Sequence, residues 1–234
     1  MKVLVFDTET TGLPKNIKDT PTSKNAHDWP YIVQISYLIY DMDKDKECIT
    51  TVVDHIIKIP EDIMISEVVA EIHGITNEIS KTKGDFIEYV LYKLMCEFKD
   101  VDLIVAHNMQ FDKNMLIVEL HRAIIRNNNP EYTRKFVEFL GEQEQQGNKY
   151  FCTMVNSTAL CNIVAYAKAT NRRFVKYPSL AELYGYLFGY TPKNLHNSLN
   201  DVIVCFRCFY KLTTGKDVYN ENECIKLMID RLMP

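Results

Sequence analysis

The sequence lacks any stretch of ~20 consecutive apolar residues, the length a helix needs to cross a bilayer, and this excludes a membrane-spanning helix. Glycine and proline are scarce, with 8 of each among 234 residues, so collagen-like and low-complexity architectures are excluded. No charge of one sign dominates. Lys and Arg number 27 against 31 Asp and Glu, a formal net charge of -4, which argues against a protein that coats nucleic acid by charge alone. There is no Walker A loop, no Gly-x-Gly-x-x-Gly, no Gly-x-Ser-x-Gly and no His-Glu-x-x-His. The seven cysteines are odd in number and show no disulfide framework. Cys205-Phe206-Arg207-Cys208 has no second pair to complete four zinc ligands, so packing one helical turn apart is the expected role.

The run from Met1 reaches Asp7 within seven residues, too soon for the apolar core of a secretory signal. These features predict a protein of a reducing compartment, cytosolic or nuclear, neither secreted nor bound to a membrane. The sequon at Asn156 is then fortuitous.

What is present is ordinary for a globular protein: 47% apolar and 25% charged residues, in a length that suits one large domain, or one domain with appendages. Residues 2–6 and 101–106 are short apolar runs that predict buried strands. Residues 31–40 and 48–59 are β-branched and aromatic and predict a hairpin. Its turn, 41–47, alternates acids as a calcium loop does, but Lys46 and Val52 stand where that loop needs Gly and Glu, so a charged turn is expected. Helical spacing appears at 66–72 (Ser66 as N-cap), 85–98, 113–125, 131–140, 157–169, 179–188, 200–212 and 221–232. A short strand is expected near 151–155 and a Gln-rich loop at 143–148. Strands in series followed by strands alternating with helices predict a mixed sheet flanked by helices.

Charge is unevenly placed. Residues 145–181 contain no acid but hold Lys149, Lys168, Arg172, Arg173 and Lys176, with Tyr150, Phe151, Tyr166, Phe174 and Tyr177 interleaved. Alone, this window reads as a solvated helix end with core aromatics. Beside a nucleic-acid site it becomes a candidate strand-tracking surface.

Active sites of α/β sheets lie beyond the strand ends. The first strand runs into Asp7-Thr8-Glu9-Thr10-Thr11-Gly12-Leu13. Asp7 and Glu9 point the same way, because side chains alternate along a strand. Two carboxylates held together there repel and lose hydration, and a hard divalent cation relieves both costs. The second strand ends in His107-Asn108-Met109-Gln110-Phe111-Asp112, which puts a third acid where a helix begins. The third segment is His196-Asn197-Ser198-Leu199-Asn200-Asp201. Its histidine and acid converge only if His196 lies in the loop and Asp201 in the first helical turns.

In order and context these segments, with His73-Gly74-Ile75-Thr76, resemble the DEDDh 3′→5′ exonucleases, the group of the DNA polymerase III epsilon proofreading subunit, ribonuclease T and the three-prime repair exonucleases. The resemblance spans roughly residues 2–213. Ser198 departs from it, since Ala usually stands there, and the insertion at 127–149 and the tail after 214 lie outside it. The resemblance implies an RNase H-like α/β fold, a mixed five-stranded sheet flanked by helices. A small helical insertion and a C-terminal helix are added, with a catalytic domain over 1–215 and an extension over 216–234.

It further implies hydrolysis from the 3′ end of single-stranded nucleic acid, DNA in preference to RNA, releasing nucleoside 5′-monophosphates. Asp7, Glu9, Asp112 and Asp201 would hold two divalent ions, Mg²⁺ or Mn²⁺. Asp7 would bridge them, Glu9 and Asp201 complete one, and Asp112 order water on the other. His196 would take the proton from the attacking water. Thr10, Leu13, His73, Ile75, Asn108 and Phe111 would contact the terminal nucleotides, with Leu13 as a wedge against a base. Roles in proofreading, repair and RNA trimming all occur in the group, and a homodimer or a polymerase partner is compatible with it. Two other readings fit less well. A haloacid-dehalogenase-type phosphatase has Asp where Glu9 stands and leaves the other segments unexplained. A non-catalytic binding module would normally have lost one of the five residues.

Overall fold

A computed structural model describes residues 1–44, 48–145 and 149–232. Five strands form one sheet in the order β3-β2-β1-β4-β5. β1 (Lys2–Thr10) lies at its centre, antiparallel to β2 (Ile32–Asp41) and parallel to β4 (Leu103–Ala106). β3 (Ile49–Ile56) closes one edge antiparallel to β2, and β5 (Tyr150–Cys152) the other, parallel to β4. This is the mixed, helix-flanked sheet expected from the sequence.

The two faces of β1 bury different cores, as the two-residue strand period requires. Leu4 and Phe6 face one core with Ile35, Tyr37 and Ile104. It is covered by α3 (Ile87–Lys99), α4 (Met109–Arg126) and α5 (Pro130–Gln145). Val3 and Val5 face the other with Leu38, Tyr40 and Val105, under α7 (Leu180–Phe188), α8 (Ser198–Thr214) and α9 (Glu223–Asp230). Cys205 and Cys208 are free thiols buried in this second core, the packing role expected of them.

α1 (Glu67–His73) begins at Ser66, whose side chain accepts from the Val69 N–H. α2 (Asn77–Lys83) is too short to show a hydrophobic period, and the sequence reading passed over it; Thr76 caps it. α5 runs beyond the expected residue 140 and sinks Phe136 and Phe139 fully into the first core. The expected charged turn and Gln-rich loop lie partly outside the described residues, at 45–47 and 146–148.

Two expectations are corrected. The strand near 151–155 ends at Cys152, because Thr153 already begins α6 (Thr153–Cys161). The helix expected over 157–169 ends with α6. Asn162 there takes the left-handed conformation (φ 47°), which terminates helices. The chain then forms a separate hairpin, β6 (Val164–Tyr166) with β7 (Arg173–Val175). Its β-branched and aromatic residues suit a strand better than a helix.

The segment between β1 and β2 is held by one buried side chain. Arg122 of α4 donates to the carbonyls of Ala26 (2.7 Å), Trp29 (2.7 Å) and Pro30 (2.9 Å), and pairs with Glu119 at 2.5 Å. Its guanidinium lies 3.6 Å from the centre of the Tyr31 ring. Removing Arg122 takes the nearest cation from buried Glu119, which keeps only the Ile32 N–H (3.4 Å) and the more distant Arg126 (3.8 Å), and strips the Trp29 and Pro30 carbonyls of this donor. We expect Arg122→Ala to lose about 3–5 kcal/mol in urea unfolding; a change within experimental error would contradict the clamp.

Candidate active site

Parallel pairing of β1 with β4 aligns Val5 with Val105, so both strands finish at the same end of the sheet. Asp7 and Glu9 follow Val3 and Val5 on the face covered by α8. The side chain of Asn197 caps α8 by accepting from the Asn200 N–H, which places Asp201 in the first turn. Carboxylate oxygens of Asp7, Glu9 and Asp201 thereby lie within 4.8 Å of one another.

Asp112 approaches from the opposite face. α4 begins at Met109, earlier than the spacing predicts, so Asp112 is in its first turn. Asn108, just before it, adopts φ 67°. Asp112 is buried, and its Oδ1 accepts from the backbone N–H (3.1 Å) and hydroxyl (2.8 Å) of Thr8, the residue between Asp7 and Glu9. It is thus tied to the acid strand without joining the cluster of three.

Burial raises every carboxyl in this group. Asp7 is pushed up to about 7, against the opposing effect of Ser198. Glu9 is pushed to about 8 by burial and then by the charge of Asp7. Asp201 goes to about 9, through burial and then the charges of Asp7 and Glu9. Asp112 is raised by burial and by Asp7, and the Thr8 hydrogen bonds oppose the rise. Oδ1 of Asp201 is buried with no hydrogen-bond partner, while Oδ2 accepts from the His196 N–H at 3.1 Å. Converging oxygen donors, one of them unpartnered, are a donor set that fits a hard divalent cation.

His196 is solvent-exposed, five residues before Asp201, in a loop where its own φ is 68°. The substrate residues expected from the sequence divide into two groups. Leu13 is 77% exposed and Phe111 half-buried, so both offer surface. Thr10, His73 and Ile75 are buried. The Thr10 hydroxyl donates to the Gly12 carbonyl (2.7 Å), His73 Nδ1 accepts from the Ile75 N–H (3.1 Å), and Ile75 packs with Val33 and Ile65. Asn108 accepts the Phe111 N–H at 2.8 Å through its backbone carbonyl.

The sequence reading missed the groups that hold these residues. The Ser198 hydroxyl donates to the Asp7 carbonyl (2.7 Å) and accepts from the Ser36 N–H (3.1 Å). The Ser198 N–H donates to Gln34 (3.2 Å), and Gln34 and Ser36 both donate to Asp54 at 2.7 Å. The available signal was the polar pair Gln34 and Ser36, two apart within an apolar strand. His107 is a second case. Burial pushes its imidazole down to about 4, so the ring is neutral near pH 7. It hydrogen-bonds the Pro178 carbonyl through Nε2 (3.1 Å) and the Thr153 hydroxyl through Nδ1 (2.9 Å).

A family model described as exonuclease, of the ribonuclease T type, matches residues 4–209. The chain belongs to this exonuclease family. A search of curated proteins finds no match. Among solved structures, exonuclease I from Methylocaldum szegediense is similar at 17% identity and a TM-score of 0.56, over 92% of this chain and 41% of that one. Escherichia coli exonuclease I in complex with a dT13 oligonucleotide gives 15% and 0.56, over 90% and 41%. A 3′-exonuclease described as recognising the histone mRNA stem-loop gives 10% and 0.55, over 99% and 64%. At these identities the likeness is one of fold, and the chain spans less than half the length of the exonuclease I structures.

Ser198→Ala keeps a small side chain in this buried position and removes both hydrogen bonds of the hydroxyl. We expect a loss of about 1–3 kcal/mol in denaturant unfolding. Stability equal to that of the parent chain would show that the hydroxyl does not hold α8 to β1.

Proposed function

We propose that the chain hydrolyses phosphodiester bonds one nucleotide at a time from the 3′ end of single-stranded nucleic acid. DNA is preferred over RNA, and nucleoside 5′-monophosphates are released. One observation carries this reading: the oxygens of Asp7, Glu9 and Asp201 converge within 4.8 Å at the end of β1 in a chain of the exonuclease family. Asp7, Glu9, Asp112 and Asp201 are the proposed ligands of two divalent ions, Mg²⁺ or Mn²⁺. Such ions, when bound, activate water and stabilise charge on the attacking and leaving oxygens.

The remaining work falls to the chain's own groups. His196 stands in solvent, five residues before Asp201, and an imidazole is suited to accept the proton of the attacking water. Its backbone N–H donates to Asp201 Oδ2, which tethers the loop that carries the base to the acids. Thr8 holds Asp112 while leaving Asp7 and Glu9 on the other face. Leu13 and Phe111 offer apolar surface for the terminal base.

The test is digestion of end-labelled single-stranded DNA, duplex DNA and RNA with Mg²⁺, Mn²⁺ or chelator. We expect metal-dependent shortening from the 3′ end, fastest on single-stranded DNA. Asp7→Ala should abolish it. His196→Ala should slow it by roughly 10²–10⁴-fold while calorimetric Mn²⁺ binding persists. Full activity of Asp7→Ala would refute the ligand assignment, and undiminished activity of His196→Ala would assign the base elsewhere.

The raised carboxyls also fix a pH signature. In the unfolded chain they lose their protons near pH 4, whereas in the metal-free fold Asp7, Glu9 and Asp201 keep theirs to about 7, 8 and 9. The fold therefore binds more protons than the unfolded chain between these limits, and stability falls as pH rises through them. In chelator we expect the melting temperature to drop from pH 5 to pH 8. Mn²⁺ should raise it more at pH 8 than at pH 5, because the ion competes with protons for the same oxygens. A Mn²⁺ effect independent of pH would exclude this cluster as the binding site.

A further inference from the structure

The β6–β7 hairpin has no core of its own. A two-stranded hairpin is marginal in water unless something covers it, yet both faces of this one carry exposed apolar groups. Tyr166 pairs with Arg173 and Val164 with Val175, so these four side chains share one face. Tyr166 is 61% exposed and Val175 45%. The opposite face carries Phe174, 46% exposed, and Arg172 two residues before it. The turn at 168–171 closes with the Ala167 N–H donating to the Arg172 carbonyl at 3.0 Å, which brings Lys168 to the tip beside Arg172.

Charge singles out the occupant. Among the described residues, Lys168, Arg172 and Arg173 make no ion pair, while Lys176 at the base is neutralised by Glu182 at 2.6 Å. No acid occurs between residues 145 and 181. A second copy of the hairpin would bring three like charges against three more, so self-association does not suit the surface. A polyanion with flat apolar faces does.

Position points the same way. His107 stands two residues beyond Val105, and Asp7 two beyond Val5, its partner in the sheet. The imidazole of His107 binds the carbonyl of Pro178, three residues after β7. The root of the hairpin is therefore fastened next to the strand that carries Asp7 and Glu9. At ~3.3 Å per residue, its arms reach roughly 15 Å outward.

We propose that the β6–β7 hairpin is a docking arm for single-stranded nucleic acid upstream of the 3′ end. Lys168, Arg172 and Arg173 neutralise phosphates, and Tyr166 stacks a base. The orientation of the strand rests on the hydrolytic reading of the acid cluster; the binding itself does not. Neither phosphates nor base faces report the sugar, so the arm takes DNA and RNA alike.

The experiment uses the full chain in chelator, with fluorescence anisotropy of 5′-labelled 20-nucleotide oligothymidylate and oligouridylate over a salt series. We expect Tyr166→Ala to weaken both about tenfold. Arg172→Ser with Arg173→Ser should lower the salt slope by about 1.4, at ~0.7 for each lost phosphate contact on a single strand. With Mn²⁺ in place of chelator, turnover of a dinucleotide, too short to reach the arm, should not change; it also reports that the variants are folded. Unaltered affinity and slope in both variants overturn the proposal, as does a loss confined to one polymer or a change of oligomeric state in place of a change in binding. If the parent chain hydrolyses nothing but its affinity depends on these residues, the nuclease reading fails and the arm stands. If it hydrolyses the dinucleotide but the variants bind the 20-mers like the parent, the arm fails and the nuclease reading stands.

Discussion

Three half-buried carboxylates with oxygens within 4.8 Å of one another are the constraint around which this chain is built. Left alone, such a group gives up its charge by retaining protons, and the upward displacement of Asp7, Glu9 and Asp201 is that response. A fold that assembles this arrangement works against its own stability at neutral pH unless a cation supplies the missing charge. The surrounding structure is accordingly stiff where it touches the acids. β1 is flanked on both sides by strands, and α8 is bolted to its backbone through Ser198. The opposite helix α4 is tied to the same strand through Thr8 and Asp112. Asp7 and Asp112 are each held by an element they do not belong to.

The division of labour across the sheet follows from the alternation of a strand. Asp7 and Glu9 inherit the α8 side from Val3 and Val5, and Thr8 inherits the α4 side from Leu4 and Phe6. A one-residue slip of β1 would send both acids into the first core and turn Thr8 toward Asp201. The apolar sequence of β1 therefore sets the chemistry as much as the stability. The Arg122 clamp extends the same logic to the segment after Glu9, because it holds the return into β2 from inside α4.

Much of this was legible in the residues. The strands at 2–6, 31–40 and 101–106 are apolar or β-branched runs, Asp7 and Glu9 follow the first and Asp112 lies six residues beyond the last, so their approach at one end of the sheet was foreseeable. The helix mistakenly expected over 157–169 shows the limit. The alanines at 159, 165, 167 and 169 suit a helix and masked the strand preference of Ile163, Val164 and Tyr166, which the left-handed turn at Asn162 and the pairing with 173–175 realise. The network through Ser198, Gln34, Ser36 and Asp54 was illegible for another reason. It joins β2 and β3 to a helix residue 162 and 164 positions away from its partners in β2, and no local pattern records such a pairing. His107 shows the same thing on a smaller scale, since its partners at 153 and 178 belong to elements misjudged or only partly foreseen.

The bond between the Ser198 hydroxyl and the Asp7 carbonyl closes 191 residues of chain. During synthesis, Asp7 and Glu9 emerge well before α8, and the cluster stays incomplete until Asp201 follows. A nascent or prematurely terminated chain that stops short of α8 can complete its first core yet holds an unfinished set of acids. The set of acids is thus complete only once α8 has been made, and the order of translation leaves every earlier intermediate without it.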